Sequence, residues 1–426
     1  MTKKSKSAKA SKTDDKFTTI KVSKETFAKL ADQGKYGDSM DQIIDQVLKR
    51  PVTPETKGLE DVVAGKSSIC YIDGHEGRLL YRGYDIVDLA PHSSYEETTY
   101  LLWNGRLPLA NELRDFSADL ASKRALPKDV NSILTTLPKN CDAMDALRVG
   151  VATLGIYDDP MYSQQEKAAS IASKLATIVA AIHRHKHDLP MVAPRTDLGA
   201  AANFLYMLTG KEPADQDAHL MDVLLILHAD HELNASTFTA RVIASTLSDV
   251  YSAITGAVGA LKGPLHGGAN EAVVEMTNEI GSPDKAEAYI RDKLAKKQKI
   301  SGFGHRVYKT MDPRAKILKE MAHHFPGDPH EAAALKILDT VETVLRVEKN
   351  LYPNVDLYSG LALTHLDIPS YLFTPVFGFG RAPGWLAHVL EQYSDNRIIR
   401  PRAEYVGLTK ATYVPIDKRL PLPVAK

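Results

Sequence analysis

Apolar positions recur with the period of an α-helix along most of this chain, and strand-like alternation is confined to one short segment. From Lys57 onward, apolar residues at helical spacing are interrupted by Gly, Pro, Ser and Asp. Over Ser68–Tyr84, an Asp-Gly-His-Glu-Gly turn between two apolar runs predicts a small hairpin. Because strands do not alternate with helices, the pattern predicts a mainly α fold and argues against a doubly wound sheet.

Helix boundaries follow from the apolar period and from the flanking Pro, Gly, Ser and Asp residues. The predicted helices are Ser94–Trp103, Leu109–Leu120, Ala143–Gly155, Gln165–Lys186, Asn203–Leu208, Asp217–His228, Ser236–Leu261, Ala269–Ile280, Asp284–Gln298, Pro313–Phe325, Pro329–Asn350 and Pro383–Ser394. Asp356 is expected to lie outside these helices, just before a Ser-Gly turn.

The first 50 residues are predicted to form a separate region. Residues 1–15 are small, polar and lysine-rich, which predicts a disordered basic tail. Residues 16–50 have the pattern of a short strand, a helix capped by Ser23 and a second helix that starts with a capping box. This order resembles the ribbon-helix-helix modules, in which outward strand residues, here Thr19 and Lys21, read a DNA groove. The same pattern fits an appendage that strengthens a dimer, so both interpretations stay open.

Composition narrows the class of protein. Lys+Arg and Asp+Glu both number 53, so the formal net charge is zero, which argues against a surface that binds nucleic acid throughout. At 44% apolar and 25% charged residues, the chain resembles an ordinary globular protein. The two cysteines, Cys70 and Cys141, exclude a disulfide framework and favour a reducing compartment. Since no secretory signal and no apolar stretch of membrane-spanning length is found, we expect a cytoplasmic protein.

Four segments concentrate the residues that carry chemistry. They are LHADHELNAST (227–237), GPLHGGANEA (263–272), SGFGHRVYKTMDPRA (301–315) and NVDLYSG (354–360). His266 and His305 are flanked by glycines, and His266 precedes a helix whose N-terminal dipole disfavours imidazolium, so we expect a neutral donor there. Guanidiniums bind planar carboxylates, and Asp356 supplies a base. These groups fit carbon–carbon bond formation between a carboxylate-rich electrophile and an enolisable thioester.

The blocks GPLHGGAN, GFGHRVYKTMDPRA, NVDLYSG and RIIRPRAEYVG resemble the signature blocks of the citrate synthase family. They occur in the family's order and spacing between Lys57 and Gly407, and the His-Arg-Val-Tyr-Lys form is similar to the prokaryotic branch. The resemblance implies a two-domain helical fold, with a large domain over 51–267 and 368–426 and a small domain over 268–367. It also implies a homodimer that condenses acetyl-CoA with oxaloacetate at the entry of the tricarboxylic acid cycle.

The same resemblance implies a role for individual residues. His266 would hydrogen-bond the thioester carbonyl of acetyl-CoA, Asp356 would abstract the methyl proton, and His305 would protonate the oxaloacetate carbonyl oxygen. The residues implied to bind oxaloacetate are His231, Arg314, Arg381 and Arg400, the last from the neighbouring subunit. Lys309 matches a position that contacts CoA phosphate, where the family often has Arg. No cofactor and no metal ion are implied, and oxaloacetate is expected to bind first and to favour closure.

Three alternatives stay open at this point. A 2-methylcitrate synthase would use propionyl-CoA with the same residues, and one methylene in an apolar pocket discriminates by only about 1–3 kcal/mol. A DNA-binding protein would act through residues 16–50 and would show salt-dependent binding. A catalytically inactive scaffold is disfavoured by the intact His266, His305 and Asp356.

Overall fold

The computed structural model describes residues 62–325 and 328–419, together with 23–31, 57–59, Met40 and Ile44. The chain divides into two compact units, residues 1–66 and 67–426. Helix makes up 62% of the structure, so the prediction of a mainly α fold is confirmed. The division of the second unit into a large and a small domain stays a prediction.

In the first unit, an α-helix spans Lys24–Ala31 (α1), within the region where the sequence predicts one. Ser23 caps this helix, since its hydroxyl accepts a hydrogen bond from the Thr26 N–H at 3.0 Å. The basic tail, the predicted strand with Thr19 and Lys21, and all but single positions of the second helix lie outside the described residues. The resemblance to a ribbon-helix-helix module therefore stays a prediction.

The second unit begins with a three-stranded antiparallel sheet and continues as a series of helices. The strands are β1 (Cys70–Asp73), β2 (Arg78–Tyr81) and β3 (Tyr84–Asp85), in the order β1-β2-β3. The α-helices are Ile86–His92 (α2), Tyr95–Asn104 (α3), Ala110–Ser122 (α4), Lys128–Thr136 (α5), Ala143–Tyr157 (α6), Gln164–Lys186 (α7), Ala200–Thr209 (α8), Asp215–His228 (α9), Ala235–Ser245 (α10), Val250–Leu261 (α11), Ala269–Ile280 (α12), Pro283–Ala295 (α13), Pro313–Ala322 (α14), Pro329–Lys349 (α15), Asp356–His365 (α16) and Phe373–Ser394 (α17). The predicted hairpin is confirmed, with Asp73 paired to Arg78 across its turn.

The single helix predicted over Ser236–Leu261 is wrong, because the structure has two helices there, α10 and α11. Leu247, between them, has a left-handed backbone with a φ of 63°, which interrupts a right-handed helix. The Asp249 carboxylate then accepts a hydrogen bond from the Ser252 N–H at 2.9 Å and caps α11. The break lets α11 pack back against α10.

The last long helix, α17, begins at Phe373 and not at the predicted Pro383, which lies inside it. A proline in a helix lacks the N–H that would bond the carbonyl four residues earlier, here that of Phe379. The Tyr95 hydroxyl donates to this carbonyl oxygen at 2.8 Å. A neighbouring helix thus satisfies the acceptor that the proline leaves open.

The core of the second unit surrounds two long buried helices, α7 and α17. Side chains from Ala168 to Ile182 along α7 are buried, and α17 buries Phe379 and Trp385. Burying a large apolar side chain stabilises a fold by roughly 1.5–3 kcal/mol relative to leaving it exposed. Helices α9 and α10, which flank the first motif, pack on α17, so this motif is carried by the core. Within the part of the chain that the structure describes, no helix is both long and apolar enough to cross a membrane.

Candidate active site

The four motif segments meet at one place in the second unit. The rings of His231, from the first motif, and His305, from the third, lie edge to face with their centroids 5.0 Å apart. Ser236 of the first motif contacts His266 of the second. The fourth motif joins through Asn354, whose side-chain amide donates at 2.9 Å to the carbonyl oxygen that precedes His305. The fold therefore assembles one candidate site from segments that are far apart in sequence.

His266 is held by Ser236 with its ring in one tautomer. The Nε2 atom of His266 accepts a hydrogen bond from the Ser236 N–H at 3.3 Å and lies 2.8 Å from the Ser236 hydroxyl oxygen. Because Nε2 accepts, the proton resides on Nδ1, where it can be donated to a ligand. Trp385 donates its indole N–H to the Ser236 hydroxyl oxygen at 3.0 Å. This buried tryptophan therefore links Ser236 and His266 to the core.

Burial is the main reason that the imidazole of His266 stays neutral. It lowers the pKa of His266 to about 4, with the charge of Arg381 as the second cause. The two positions after His266, Gly267 and Gly268, require glycine because of steric contact and backbone conformation. A Cβ on Gly267 would lie 2.3 Å from the Leu261 carbonyl oxygen, and Gly268 has a φ of 82°. The predicted neutral state is thus supported, but by burial more than by the helix dipole invoked from the sequence.

His305 is fixed in the opposite tautomer by the backbone of its own loop. Its Nδ1 atom accepts hydrogen bonds from the N–H groups of Val307 at 3.0 Å and Tyr308 at 3.2 Å, which leaves the ring proton on Nε2. Burial, followed by the charge of Arg314, lowers the pKa of His305 to about 4. The two imidazoles are therefore both neutral donors, through different ring nitrogens.

Asp356 is the first residue of α16, and the turn predicted after it is wrong, because the Ser-Gly pair lies inside this helix. The Asp356 N–H donates to the Asn354 side-chain oxygen at 3.0 Å. Burial raises the pKa of Asp356 to about 6, although the charges of Arg314 and Arg381 oppose this shift. A higher pKa makes the ionised carboxylate a stronger base than an ordinary aspartate.

Two buried guanidiniums supply positive charge to this region. Arg314 forms a bidentate ion pair with Asp312, at 3.0 and 2.8 Å. Arg381 donates its Nε–H to the His228 carbonyl oxygen, and its guanidinium carbon lies 4.8 Å from the centre of the Phe377 ring. Both arginines are almost fully buried. Arg314 already has Asp312 as its counter-ion, whereas the hydrogen bond of Arg381 goes to a neutral carbonyl oxygen, and a buried charge without a paired carboxylate favours an anionic ligand.

His231 is a buried histidine with an unused ring nitrogen. Its Nε2 atom has no hydrogen-bond partner among the described residues, and such atoms are uncommon unless a ligand or water completes them. Burial, followed by the charge of Arg314, keeps the pKa of His231 well below its usual value. The side chain is therefore a neutral group with one buried, unsatisfied nitrogen, which a polar ligand would complete.

Two predicted site residues are exposed and lie outside this buried cluster. Lys309 is exposed, although its charge contributes to lowering the pKa of His305. Arg400 is exposed in the segment 396–406, which forms neither helix nor strand. Among the described residues, no group of three or more His, Cys, Asp or Glu side chains is arranged to hold a metal ion.

A buried aspartate–histidine pair beside the site was missed from the sequence. The Asp230 carboxylate and the His388 imidazole are both fully buried, with Oδ1 3.3 Å from Nε2. Arg241 donates to His388 Nδ1 at 3.2 Å, so the ring proton faces Asp230. The charge of Asp230 opposes the effect of burial, which lowers the pKa of Arg381 to about 10. The available signal was an aspartate, Asp230, directly after the apolar end of α9.

Known proteins resemble this chain over most of its length. The family model described as "Citrate synthase, C-terminal domain" matches residues 58–402. A Bacillus subtilis protein named "Citrate synthase 2" is 49% identical over 370 residues, which cover 85% of this chain and 99% of that protein. A Shewanella oneidensis protein named "2-methylcitrate synthase" is 39% identical over 365 residues, which cover 85% of this chain and 97% of that protein.

A solved structure is similar as well. It is the ternary complex of citrate synthase from Thermoplasma acidophilum with carboxymethyl coenzyme A and oxaloacetate. It matches with a TM-score of 0.81 at 36% identity, over 85% of this chain and 99% of that chain. The likeness therefore extends to the three-dimensional fold.

Proposed function

The chain belongs to the citrate synthase family, and on that premise we propose that it condenses acetyl-CoA with oxaloacetate and releases citrate and CoA. This is the reaction of a transferase of the citrate (Si)-synthase type, the entry step of the tricarboxylic acid cycle. One observation carries the proposal: two neutral imidazoles and a half-buried carboxylate are held by adjoining segments beside two buried guanidiniums.

In the first step, the Asp356 carboxylate takes a methyl proton from acetyl-CoA. A carboxylate is a weak base for a carbon-bound proton, so the enolate oxygen must be stabilised as it forms. The Nδ1–H of His266 is free to donate to this oxygen, an effect worth about 10²–10³ in rate. The electron pair of the broken C–H bond forms the carbon–carbon double bond of the enolate.

In the second step, the enolate carbon attacks the keto carbon of oxaloacetate. The Nε2–H of His305 protonates the alkoxide oxygen that forms. Arg314 and Arg381 bind the substrate carboxylates, and His231 contributes its unused Nε2. Water then attacks the citryl thioester and gives a proton to the His305 imidazolate, the carbon–sulfur bond breaks, and the CoA thiolate takes the proton held by Asp356, so that citrate and the CoA thiol leave.

Oxaloacetate binds first in this scheme and favours closure of the predicted small domain, residues 268–367, on the large domain. His305 and Asp356 belong to the small domain, whereas His231 and Arg381 belong to the large one. Neither domain alone supplies the full set of groups. Closure therefore assembles the acid–base set and excludes water from it.

Arg400 completes the site of a second copy of the chain in our proposal. The segment that carries it, residues 396–406, exposes large apolar side chains, with Tyr405 70% and Val406 91% exposed. Neighbouring apolar side chains that are exposed in one subunit are typical of a surface that a partner covers. A homodimer with two-fold symmetry would give each site one Arg400 from the other subunit.

Lys309 serves as a point charge for a CoA phosphate.

Mixed dimers test the role of Arg400. Arg400→Ala and Asp356→Asn should each be inactive as homodimers, but a mixed dimer would have one site with an intact Asp356 and an intact Arg400. Random exchange of subunits therefore predicts recovery of about a quarter of wild-type activity. The two variants are unfolded together, refolded and assayed for thiol release. Activity no higher than that of the separately refolded variants would contradict a shared site.

The rate should depend on pH through Asp356. Only the carboxylate can accept a proton, and burial raises its pKa to about 6, so kcat should fall as the pH drops through this value. His266 and His305 titrate near pH 4 and stay neutral in this range. A kcat profile from about pH 8 to about pH 5 measures the effect, with circular dichroism at each pH as the control for folding. A flat profile would show that Asp356 does not limit the rate as a base.

Release of CoA thiol from acetyl-CoA, with and without oxaloacetate, tests the proposed function. We expect release that requires oxaloacetate, and a kcat/KM for acetyl-CoA above that for propionyl-CoA. A higher value for propionyl-CoA would assign the chain to 2-methylcitrate synthesis, and no release with either thioester would overturn the proposal. DNA binding through residues 16–50 and a cytoplasmic location stay predictions.

A further inference from the structure

The turn between β1 and β2 lies directly against the loop that carries His305. The Lys309 N–H donates to the Gly74 carbonyl oxygen at 2.8 Å. A Cβ on Gly74 would lie 2.2 Å from the carbonyl oxygen of Val307, and one on Gly77 would lie 2.9 Å from that of Met311. These neighbours are backbone atoms, which cannot rotate out of the way as a side chain can. The two segments therefore approach as closely as glycines permit.

The part of the loop that the turn contacts is also the part that orients His305. The N–H groups of Val307 and Tyr308 donate to Nδ1 of the ring, and Lys309, which follows them, is bonded to the turn. A shift of this backbone would move both donors together. The position and the tautomer of the imidazole therefore depend on a contact more than 200 residues away in sequence.

The turn is rigid enough to act as a support. The Asp73 Oδ1 atom accepts hydrogen bonds from the N–H groups of His75 at 2.9 Å and Glu76 at 2.8 Å, which fixes the turn by its own side chain. Gly77 has a φ of 66°, a conformation that favours glycine. The strands on either side pair in register from Asp73 and Arg78 onward.

We propose that the turn over residues 73–77 is a positioning element for His305, and that Gly74 and Asp73 are its positioning residues. The inference rests on the proposed function, because His305 matters here as the group that protonates the substrate oxygen. The turn belongs to the predicted large domain and the loop to the predicted small one. Their contact thus spans the cleft and couples closure to the alignment of the ring.

A purely structural role for the turn makes a different prediction. If the turn only stabilises the fold, its substitution lowers the thermal midpoint, while the folded molecules keep the wild-type kcat. If it positions His305, kcat per folded site falls, because small displacements of a catalytic group are costly. The two roles are therefore separated by measuring kcat and stability on the same preparations.

Gly74→Ala is the direct test. The added methyl group would clash with the Val307 carbonyl oxygen, and we expect kcat to fall by about 10–100-fold, with oxaloacetate still bound by the arginines. The matched control is Gly65→Ala, since a Cβ there would meet nothing within 4 Å, and it should keep the wild-type kcat. A folded Gly74→Ala variant with the wild-type kcat would overturn the proposal.

Asp73 provides a second test that does not depend on a steric clash. Asp73→Ala removes the acceptor of both turn hydrogen bonds and should lower kcat, whereas Asp73→Asn keeps an oxygen at the Oδ1 position and should restore most of it. Equal kcat values for Asp73→Ala and the wild type would contradict the role of the turn. The wild type is assayed alongside, so that a failure of the proposed function, with no thiol release at all, is distinguished from a failure of this inference.

Discussion

Asp356→Asn should lower kcat by roughly 10³–10⁴-fold, because it removes the only group assigned to accept the methyl proton. The amide has nearly the same shape as the carboxylate but cannot take up a carbon-bound proton. The N–H of residue 356 can still donate to Asn354, so the start of α16 should be preserved. Thiol release at saturating acetyl-CoA and oxaloacetate measures the loss.

Two controls separate the chemistry of Asp356 from folding and substrate binding. Asp292→Asn makes the same substitution at an exposed residue, paired with Lys296 at 2.7 Å, and should leave kcat unchanged. Oxaloacetate binding by Asp356→Asn, measured by calorimetry, should be retained, since the buried arginines remain. If the variant kept a kcat within tenfold of the wild type, Asp356 would not be the base.

His266→Gln should lower kcat by about 10²–10³-fold, the effect of losing one donor to a developing oxyanion. The side-chain amide of glutamine can reach the position of Nε2 and keep the contact with Ser236. It then leaves no donor at the position of Nδ1. The reaction therefore loses the hydrogen bond to the thioester carbonyl oxygen, while the surrounding network remains.

His266→Asn provides the matched comparison. The amide nitrogen of asparagine lies near the position of Nδ1, so this variant can keep the donor while it loses the contact with Ser236. We expect His266→Asn to retain more activity than His266→Gln, with the same KM for oxaloacetate in both. The reverse order of kcat values would mean that Nε2, and not Nδ1, faces the thioester.

The fold could be predicted where local signals agree with tertiary packing. The long helix predicted over Gln165–Lys186 differs by a single residue from Gln164–Lys186 in the structure, because its cap and its apolar period point to the same bounds. The prediction failed where a distant group changes a local preference. Pro383 is tolerated inside a helix because Tyr95 satisfies the freed carbonyl, and no local rule contains that information.

In the candidate site, too, some features could be predicted from local sequence and others depend on distant groups. Motifs in the sequence identify His266, His305 and Asp356, since their neighbours form recognisable blocks. The state of each group depends on partners from elsewhere: Ser236 fixes the tautomer of His266, and burial sets the pKa of Asp356. Such pairings need the folded chain, because nothing in the spacing of the residues specifies them.

The contact of Gly74 with the loop of His305 was also beyond sequence reasoning. The sequence predicts the hairpin, and its turn residues suit that geometry. Which surface the turn meets depends on the packing of the sheet against a loop more than 200 residues later. A glycine that only completes a turn and a glycine that fits against another backbone have the same signature in one sequence.

A crystal structure of the dimer with oxaloacetate and a non-reactive CoA thioether tests the central claim most directly. We predict that the Asp356 carboxylate, Nδ1 of His266 and Nε2 of His305 surround the substrates, with each polar contact at about 2.6–3.2 Å. Arg400 should reach the oxaloacetate of the other subunit. If any of the three groups lay beyond hydrogen-bond reach of its substrate atom in the closed, ligand-filled site, the proposed mechanism would be contradicted.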